Sequence, residues 1–233
     1  MSMIEELRLA YAQFRLRYPV YVFHHIPKCG GTSVRAALDE WFAVNDDYTP
    51  PSLVEPQPPI TLKSLSRNNC IAGHFGHEGH YLDQRYPALF AGFRAKHRYR
   101  VFSFLREPLQ MRCSLYRHEL KQGVAQAPDL ASAIMTFPNY YSRILHVTED
   151  TWRERLNAYF FIGDVDDLQD SFNVLAKLIN KPEVMLPSVN TTVANRDDSL
   201  SALSQEQIEA FKAANALDYE IYRWARERLH RAL

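Results

Sequence analysis

The sequence lacks the patterns that mark several common kinds of site. Its three cysteines, Cys29, Cys70 and Cys113, form no CxxC pair and are odd in number, which disfavours a disulfide framework or a zinc site and predicts buried, reduced thiols. Lysine plus arginine and aspartate plus glutamate each total 27, so the zero net charge gives no support for a broad nucleic-acid-binding surface. The chain has no HExxH or clustered carboxylate motif, and we expect no metal.

Long apolar runs are absent as well. Charged residues such as Glu5, Arg8 and Arg15 interrupt the apolar positions of residues 3–17, which predicts a short amphipathic helix and neither a signal peptide nor a membrane span. A cytoplasmic location is therefore the default expectation. The chain has 233 residues, of which 46% are apolar, and these values predict a single globular domain over residues 1–233.

Strand and helix patterns alternate along the chain. Strands are predicted at 20–26, 69–73, 99–105 and 158–162. Helices are predicted from Thr32 or Ser33 to about Phe42, at 108–122, within 128–146, at 167–180, and over 204–233 with a break near Asn215. The proline-rich residues 45–60 and the aperiodic residues 181–200 are predicted loops. The alternation predicts an α/β fold with a parallel sheet covered on both faces, and ligands of such folds bind at the carboxyl ends of the strands.

The stretch HIPKCGGTS, residues 25–33, joins the first predicted strand to a helix. Gly30 and Gly31 allow a ligand to approach the backbone closely, and the helix start offers unpaired N–H groups and the positive end of the helix dipole. Lys28 adds a full charge. Together these features predict a site for a phosphate or sulfate-like group; a tight turn with a surface lysine is the alternative.

The order of the lysine and the glycines excludes the best-known phosphate loops. In a Walker A motif, GxxxxGK[ST], the lysine follows the glycines, whereas Lys28 precedes them. The sequence also has no GxGxxG motif after a predicted strand. Ordinary ATP or GTP hydrolysis is therefore disfavoured.

A second anion-binding pattern lies in FSFLREPLQMRCSLY, residues 102–116. Arg106 follows the predicted strand 99–105, and its planar guanidinium can pair with a phosphate. Ser114 lies eight residues later on a predicted helix and can donate to the same oxygens. In the alternative interpretation, Arg106 only ends the strand and Ser114 lies on the helix surface.

Three histidines occur close together in GHFGHEGH, residues 73–80. A histidine side chain suits a general base because its reference pKa of about 6.5 lies close to neutrality. His74, His77 and His80 could also bind zinc or be polar loop residues, but the segment offers no obvious fourth metal ligand. The basic residues of 93–100, FRAKHRYR, could line a site for an anionic polysaccharide or form an ordinary solvated face.

The two motifs together resemble the sulfotransferases that use 3′-phosphoadenosine 5′-phosphosulfate (PAPS). The similarity is to the carbohydrate-type branch, which includes the uronosyl 2-O-sulfotransferases and bacterial relatives and whose motifs read close to HIPKTGGTS and LRdPxxRxxSxY. The segments IAGHFGHEGHYL, FFIGDVDDLQDSFNVL, LPSVNTT and NALDYEIYRWARERL are similar to the same family, so the resemblance extends from about residue 20 to residue 230.

The resemblance implies a P-loop-like, three-layer fold with a central parallel sheet flanked by helices. It implies transfer of a sulfuryl group from PAPS to a hydroxyl, with a carbohydrate as the expected acceptor, adenosine 3′,5′-bisphosphate as the product and no metal. It also implies site residues. The residues implied for the phosphosulfate are Lys28, Cys29, Gly30, Gly31, Thr32 and Ser33, and those for the 3′-phosphate are Arg106 and Ser114.

Further roles follow from the same resemblance. His74 is the implied base, with His77 as the alternative, and Lys28 would neutralise the leaving phosphate. Residues 186–199, including Asn190 and Arg196, would close over the nucleotide. Insertions near 45–60 and 125–150, the latter with Tyr140, Tyr141 and Arg143, would shape the acceptor pocket.

The sequence departs from the family pattern at a few positions. Cys29 replaces the usual threonine, Glu107 replaces an aspartate or asparagine, and Met111 replaces an arginine that appears one position later as Arg112. Two other functions remain open: a nucleotide kinase or other phosphotransferase, and a nucleotide-binding relative without turnover. The sequence gives no indication of oligomeric state.

Overall fold

The computed structural model of the protein describes residues 3–48, 57–92, 95–187 and 201–231. The described strands are Val20–His24 (β1), Ala43–Asp47 (β2), Asn69–Gly73 (β3), Tyr99–Leu105 (β4) and Phe161–Asp164 (β5). The described helices are Met3–Arg17 (α1), Gly31–Leu38 (α2), Leu82–Arg85 (α3), Ala95–Arg98 (α4), Pro108–Gln122 (α5), Leu130–Met135 (α6), Tyr140–Ile144 (α7), Trp152–Asn157 (α8), Leu168–Ile179 (α9), Gln205–Ala214 (α10) and Ala216–His230 (α11). Short 3₁₀ turns lie at Leu62–Ser64 and Pro87–Phe90.

The strands form one parallel sheet in the order β2-β3-β1-β4-β5. All five residues of β1 are buried, and Val20 and Val22 have no exposed surface, as expected for a central strand covered on both faces. The α/β fold class predicted from the sequence, a parallel sheet flanked by helices, is confirmed.

The order of the strands creates a crevice at one edge of the sheet. From β1 the chain runs to β2 and β3 on one side, and from β4 it runs to β5 on the other. β1 and β4 are neighbours in the sheet, and the connections that follow them therefore lead to opposite halves of it. Parallel α/β sheets bind ligands at such a switch point, outside the carboxyl ends of the strands.

Several predicted elements match the structure closely. The helices predicted at 3–17 and 108–122 and the strands predicted at 69–73 and 99–105 have the predicted bounds, and the last helix is broken at Asn215. α1 differs in its packing, because apolar side chains such as Ile4 and Leu7 are exposed. Among the described helices, none is both long and apolar enough to cross a bilayer.

Three expectations are wrong in detail. The predicted loop 45–60 begins inside β2, an edge strand whose polar sequence AVNDD lacks the apolar run of a central strand. The predicted strand 158–162 lies at Phe161–Asp164. The helix after β1 is capped by Gly30 rather than by Thr32 or Ser33, and it ends at Leu38.

Some predictions fall on residues that the structure does not describe. These are residues 49–56 of the proline-rich segment, Phe93 and Arg94 of the basic cluster, and residues 188–200. Asn190 and Arg196 belong to the last of these ranges. Their role in closing over a nucleotide therefore stays a prediction.

Candidate functional site

The loop after β1 is shaped to present backbone N–H groups. Lys28 and Gly30 both have positive φ, at 63° and 71°, and the Cys29 N–H donates to the Ile26 carbonyl at 3.3 Å, so the chain turns tightly into α2. Among the described residues, no side chain caps the N-terminus of α2, which begins at Gly31. The first N–H groups of this helix are therefore available to an anion.

Arg106 lies beside this loop. It follows β4, the neighbour of β1 in the sheet, and its Nη1 is 3.5 Å from the main-chain carbonyl oxygen of Lys28. Its Nε is buried and has no hydrogen-bond partner among the described residues. The structure thus brings together the two segments that the sequence singled out as anion sites.

Positive charge accumulates at this junction. Burial, followed by the charges of Arg106 and Arg117, lowers the pKa of the Lys28 amine. Lys121 acts on Lys28 in the same direction. A bound phosphate or sulfate would relieve this repulsion, so the electrostatics favour an anion at the ends of β1 and β4.

A cavity of about 580 Å³ opens beside the same loop. Its volume is in the usual range for small-molecule sites. The described residues that line it are His25, Pro27, Lys28, Thr32, Tyr48, His74, Phe75, Gly76, His77, Leu115, His118, Tyr140 and Ile144. The cavity therefore joins the predicted phosphosulfate loop to the predicted base, since Lys28, Thr32 and His74 share its wall.

The rings of His74 and His25 lie against each other in this wall, tilted by 32°. Their ring centroids are 4.2 Å apart, and His25 Nδ1 lies 2.9 Å from the hydroxyl of Tyr48. Burial, followed by the charges of His74, His24 and Lys28, lowers the pKa of His25 to about 3. Burial also lowers the pKa of His74, whose Nδ1 is buried without a hydrogen-bond partner among the described residues. A lowered pKa keeps an imidazole neutral near pH 7 and able to accept a proton.

Tyr48 lines the cavity, and the sequence includes it in the predicted acceptor segment 45–60 without singling it out as a site residue. Its ring also meets the ring of His74 edge-on, at 4.9 Å between centroids. Tyr48 follows Asp47, which is buried. The carboxylate of Asp47 accepts hydrogen bonds from Arg85 Nε and from the Tyr86 hydroxyl, both at 2.6 Å. This anchor fixes the start of the proline-rich segment. No local signal could have found Tyr48, because its role depends on contacts far apart in sequence.

The other histidines have different surroundings. His24 is fully buried, and its Nδ1 lies 2.7 Å from the hydroxyl of Tyr159, so it belongs to the core. His77 lines the cavity and stacks on His80 at 4.4 Å. The ranges that the structure describes contain no group of three or more histidine, cysteine, aspartate and glutamate side chains arranged to hold a metal ion.

The remaining predicted site residues are placed as follows. Thr32 is exposed and lines the cavity, and Ser33 is half-buried in the first turn of α2. Ser114 is half-buried in α5, next to the cavity-lining Leu115. Cys29 differs from the others, because its side chain is buried and lies 3.5 Å from the hydroxyl of Tyr141. Burial raises the pKa of this thiol to about 11. Cys29, which stands where the family motif usually has threonine, therefore makes an interior contact and does not belong to the cavity wall.

The departures in the second motif have structural explanations. Met111 is buried in the core, and Arg112 donates from Nη2 to the carbonyls of Ala133 and Thr136 at 2.7 and 2.8 Å, which ties α5 to the end of α6. Glu107 caps α5, with its Oε2 accepting from the N–H of Gln110 at 2.7 Å. These side chains stabilise the helix that carries Ser114.

Only some residues of the segment 125–150, which is predicted to shape the acceptor pocket, line the cavity. Tyr140 and Ile144 line the cavity, whereas Tyr141 is fully buried behind it and Arg143 is exposed over the ring of Phe137.

The described part of the basic cluster 93–100 lies at the opposite end of β4 from this site. This part forms α4 and the start of β4, where Arg98 packs over Tyr18 and Arg100 over Phe160. It is therefore at the amino end of the strand whose carboxyl end carries Arg106. The described residues of the cluster do not line the cavity, and a polysaccharide site at this cluster stays a prediction.

Comparison with known proteins identifies the fold. No protein-family model and no curated protein sequence matches the chain. Mouse sulfotransferase SULT7A1, in a crystal structure complexed with PAP, superposes with a TM-score of 0.53 at 12% identity over 90% of this chain and 88% of its own. A sulfotransferase from Alicyclobacillus acidocaldarius gives a TM-score of 0.45 at 11% identity over 84% of this chain and 95% of its own. The chain has the fold of the mouse sulfotransferase, and the function has to be argued from the site.

Proposed function

We propose that the protein transfers a sulfuryl group from PAPS to a hydroxyl group of an acceptor molecule. The observation that carries this proposal is the 3.5 Å contact between Arg106 Nη1 and the Lys28 carbonyl, which joins two anion-binding segments at neighbouring strand ends. An adenosine carrier with a 3′-phosphate and a 5′-phosphosulfate is a single ligand that can occupy both. The mouse protein of the same fold was solved with PAP, which supports this choice.

The residues at the junction fit such a ligand. The uncapped N-terminus of α2, together with Lys28, Thr32 and Ser33, would hold the 5′-phosphosulfate. Arg106, whose buried Nε has no partner among the described residues, would hold the 3′-phosphate together with Ser114. A buried guanidinium nitrogen without a partner costs free energy, and a phosphate oxygen would satisfy it.

The chemistry follows from the same residues. PAPS supplies a sulfuryl group that is already activated by its link to a phosphate. His74 takes the proton from the acceptor hydroxyl while that oxygen bonds to sulfur and the bond from sulfur to the bridging oxygen breaks. Lys28 stabilises the negative charge that appears on the departing phosphate, and positioning and electrostatics supply most of the rate.

We choose His74 over the three other histidines of the cavity wall, of which His118 is exposed on α5. His25 Nδ1 lies 2.9 Å from the Tyr48 hydroxyl, and the ring edge with Nε2 lies against Gly31, so protein atoms already adjoin both nitrogens. His77 stacks on His80. His74 shares the cavity wall with Lys28 and has a neutral imidazole, which is what the proton transfer requires.

For the acceptor, we keep a carbohydrate as the first candidate because the sequence resembles the carbohydrate-type branch. The described cavity wall also suits a planar aromatic alcohol, since Phe75, Leu115, Tyr140 and Ile144 contribute to it and no carboxylate does. We treat residues 1–233 as one catalytic domain, in which the segments 45–60 and 125–150 shape the acceptor site. Tyr48 and Tyr140, which line the cavity, support this view.

The direct test is incubation of the purified protein with PAPS and a panel of sugars and phenols. Mass spectrometry should detect one acceptor that gains the mass of SO₃. The variant Lys28→Ala should lose this activity. If the panel stays unmodified while ATP with Mg²⁺ raises the melting temperature more than adenosine 3′,5′-bisphosphate does, the phosphotransferase alternative replaces our proposal.

A second comparison separates a catalyst from a nucleotide-binding relative without turnover. The wild-type protein and the variant His74→Ala should bind adenosine 3′,5′-bisphosphate equally well, and only the wild type should transfer the sulfuryl group. Tight binding of the bisphosphate without turnover on any acceptor in the panel would favour the non-catalytic relative.

A further inference from the structure

Tyr141 connects the two anion-binding segments from behind. It has no exposed surface, and its hydroxyl donates to the main-chain carbonyl of Arg106 at 2.6 Å and accepts from the Arg106 N–H at 3.2 Å. The Sγ of Cys29 is 3.5 Å from the same hydroxyl. Because burial keeps the Cys29 thiol protonated, the thiol can serve as the donor in this third contact. One phenol oxygen thus contacts both the loop after β1 and the residue that follows β4.

Asp218 holds Tyr141 in place through the backbone. Its buried carboxylate, at the start of α11, accepts hydrogen bonds from the N–H groups of Tyr141 at 2.7 Å and Ser142 at 3.0 Å. These N–H groups lie in the first turn of α7, where a helix has no partners of its own for them. The Asn139 N–H, just before α7, is bound by the side chain of Asn215 at 2.8 Å. The short helix α7, whose Tyr140 and Ile144 line the cavity, is therefore fixed to α11.

We propose that Tyr141 is a positioning residue that fixes the spacing between the Lys28–Ser33 loop and Arg106, with Asp218 acting through Tyr141, and that this brace sets the preference for a nucleotide carrying two phosphates. The inference rests on the proposed function. A ligand that spans both segments depends on their separation, whereas a ligand that uses one segment does not. Tyr141 does not line the cavity, so its contribution is to the geometry of the nucleotide site rather than to the reaction.

The test compares a ligand that spans both segments with one that uses a single segment. Dissociation constants are measured for adenosine 3′,5′-bisphosphate and adenosine 5′-phosphate with the wild-type protein and the variant Tyr141→Phe. Tyr141→Phe removes both hydrogen bonds to Arg106 and the contact with Cys29, and bisphosphate binding should weaken about tenfold. Binding of the monophosphate should change by less than about twofold, since it is held at one segment only.

Tyr159→Phe is the matched control. It removes a buried hydroxyl that lies 2.7 Å from His24 Nδ1 and that has no hydrogen bond to the Lys28–Ser33 loop or to Arg106 among the described residues. A general loss of stability would affect both variants alike, but only the loss of the brace changes the ratio of the two dissociation constants. If Tyr141→Phe does not fold, the same ratio is measured with Asp218→Asn, which keeps the shape of the side chain and replaces one acceptor oxygen.

Each result decides the matter. A fall in the bisphosphate preference of the Tyr141 or Asp218 variant, with no fall in the Tyr159 variant, supports the brace. An unchanged preference in both the Tyr141 and the Asp218 variants overturns it and leaves the proposed function intact. A wild-type protein that does not prefer the bisphosphate overturns the proposed function and, with it, the inference.

Discussion

The imidazole of His25 lies directly against Gly31. A Cβ atom added at Gly31 would stand 1.8 Å from Nε2 of His25, a distance that no real side chain tolerates. Gly31 is the first residue of α2, so the contact joins the predicted phosphate loop to the wall of the cavity. The glycine is needed at this position because of space, since its own φ is not in the left-handed region.

The first prediction follows from this contact. Gly31→Ala forces either His25 or the start of α2 to move, and we expect it to lower the free energy of unfolding by about 1–3 kcal/mol, as overpacking does. Nucleotide binding should weaken as well. The double variant His25→Ala/Gly31→Ala removes the obstructing ring and should recover stability relative to Gly31→Ala in a thermal melt. Equal melting temperatures of wild type and Gly31→Ala would contradict the packing described above.

The second prediction concerns the proposed base. His74→Ala should lower kcat by about 100-fold or more, the usual contribution of a general base, while the affinity for adenosine 3′,5′-bisphosphate stays unchanged. Because burial lowers the pKa of His74 below its ordinary 6.5, the neutral base persists to more acidic pH. The acid limb of kcat/KM should therefore lie below pH 6.5 in the wild type.

His77→Ala serves as the comparison for that prediction. Its ring lines the same cavity but is stacked on His80, and we expect this variant to retain most of the activity. If His77→Ala loses the activity and His74→Ala keeps it, the base has to be reassigned to His77.

The third prediction separates acceptor binding from nucleotide binding. Leu115 lines the cavity from α5, and Leu115→Trp adds bulk into the acceptor space. The KM for the acceptor should rise at least about tenfold, which corresponds to roughly 1.4 kcal/mol of lost contact, while bisphosphate affinity is kept. Leu120→Trp makes the same exchange at an exposed position of α5 and should leave both constants unchanged. An unaltered acceptor KM in Leu115→Trp would mean that the acceptor binds elsewhere.

The strands β3 and β4 and the two candidate anion-binding segments can be singled out from the sequence because their signals are local. β3 and β4 are largely apolar runs, Arg106 comes directly after β4, and Lys28 and Gly30 lie in the turn between β1 and α2. β2 is not predicted because it is a partly exposed edge strand, and its sequence AVNDD is mostly polar.

The contacts that position the site could not be predicted in this way. The hydrogen-bonded residues Tyr48 and His25 are 23 positions apart in the sequence, and Tyr141 and Arg106 are 35 positions apart. Nothing in the neighbourhood of either tyrosine specifies its partner, because the packing of separate elements brings each pair together. Sequence reasoning placed both tyrosines in segments that shape the acceptor pocket, and the structure puts Tyr48 in the cavity wall and Tyr141 in the core behind it.

The last prediction concerns the stability of the protein in acid. The pKa values of His24 and His25 are both lowered from 6.5 to about 3, chiefly by burial. The unfolded chain therefore binds more protons than the folded one between these values, so the stability that each neutral histidine supports is complete above pH 6.5 and is lost as the pH falls towards 3. Each should contribute about 1.4 kcal/mol per pH unit to the slope of unfolding free energy against pH. In chemical denaturation, His24→Phe/Tyr159→Phe removes one titrating group with its partner and should reduce the slope by that amount, whereas Tyr159→Phe alone keeps the imidazole and most of the slope. A double variant with the wild-type slope would show that His24 is protonated in the folded protein.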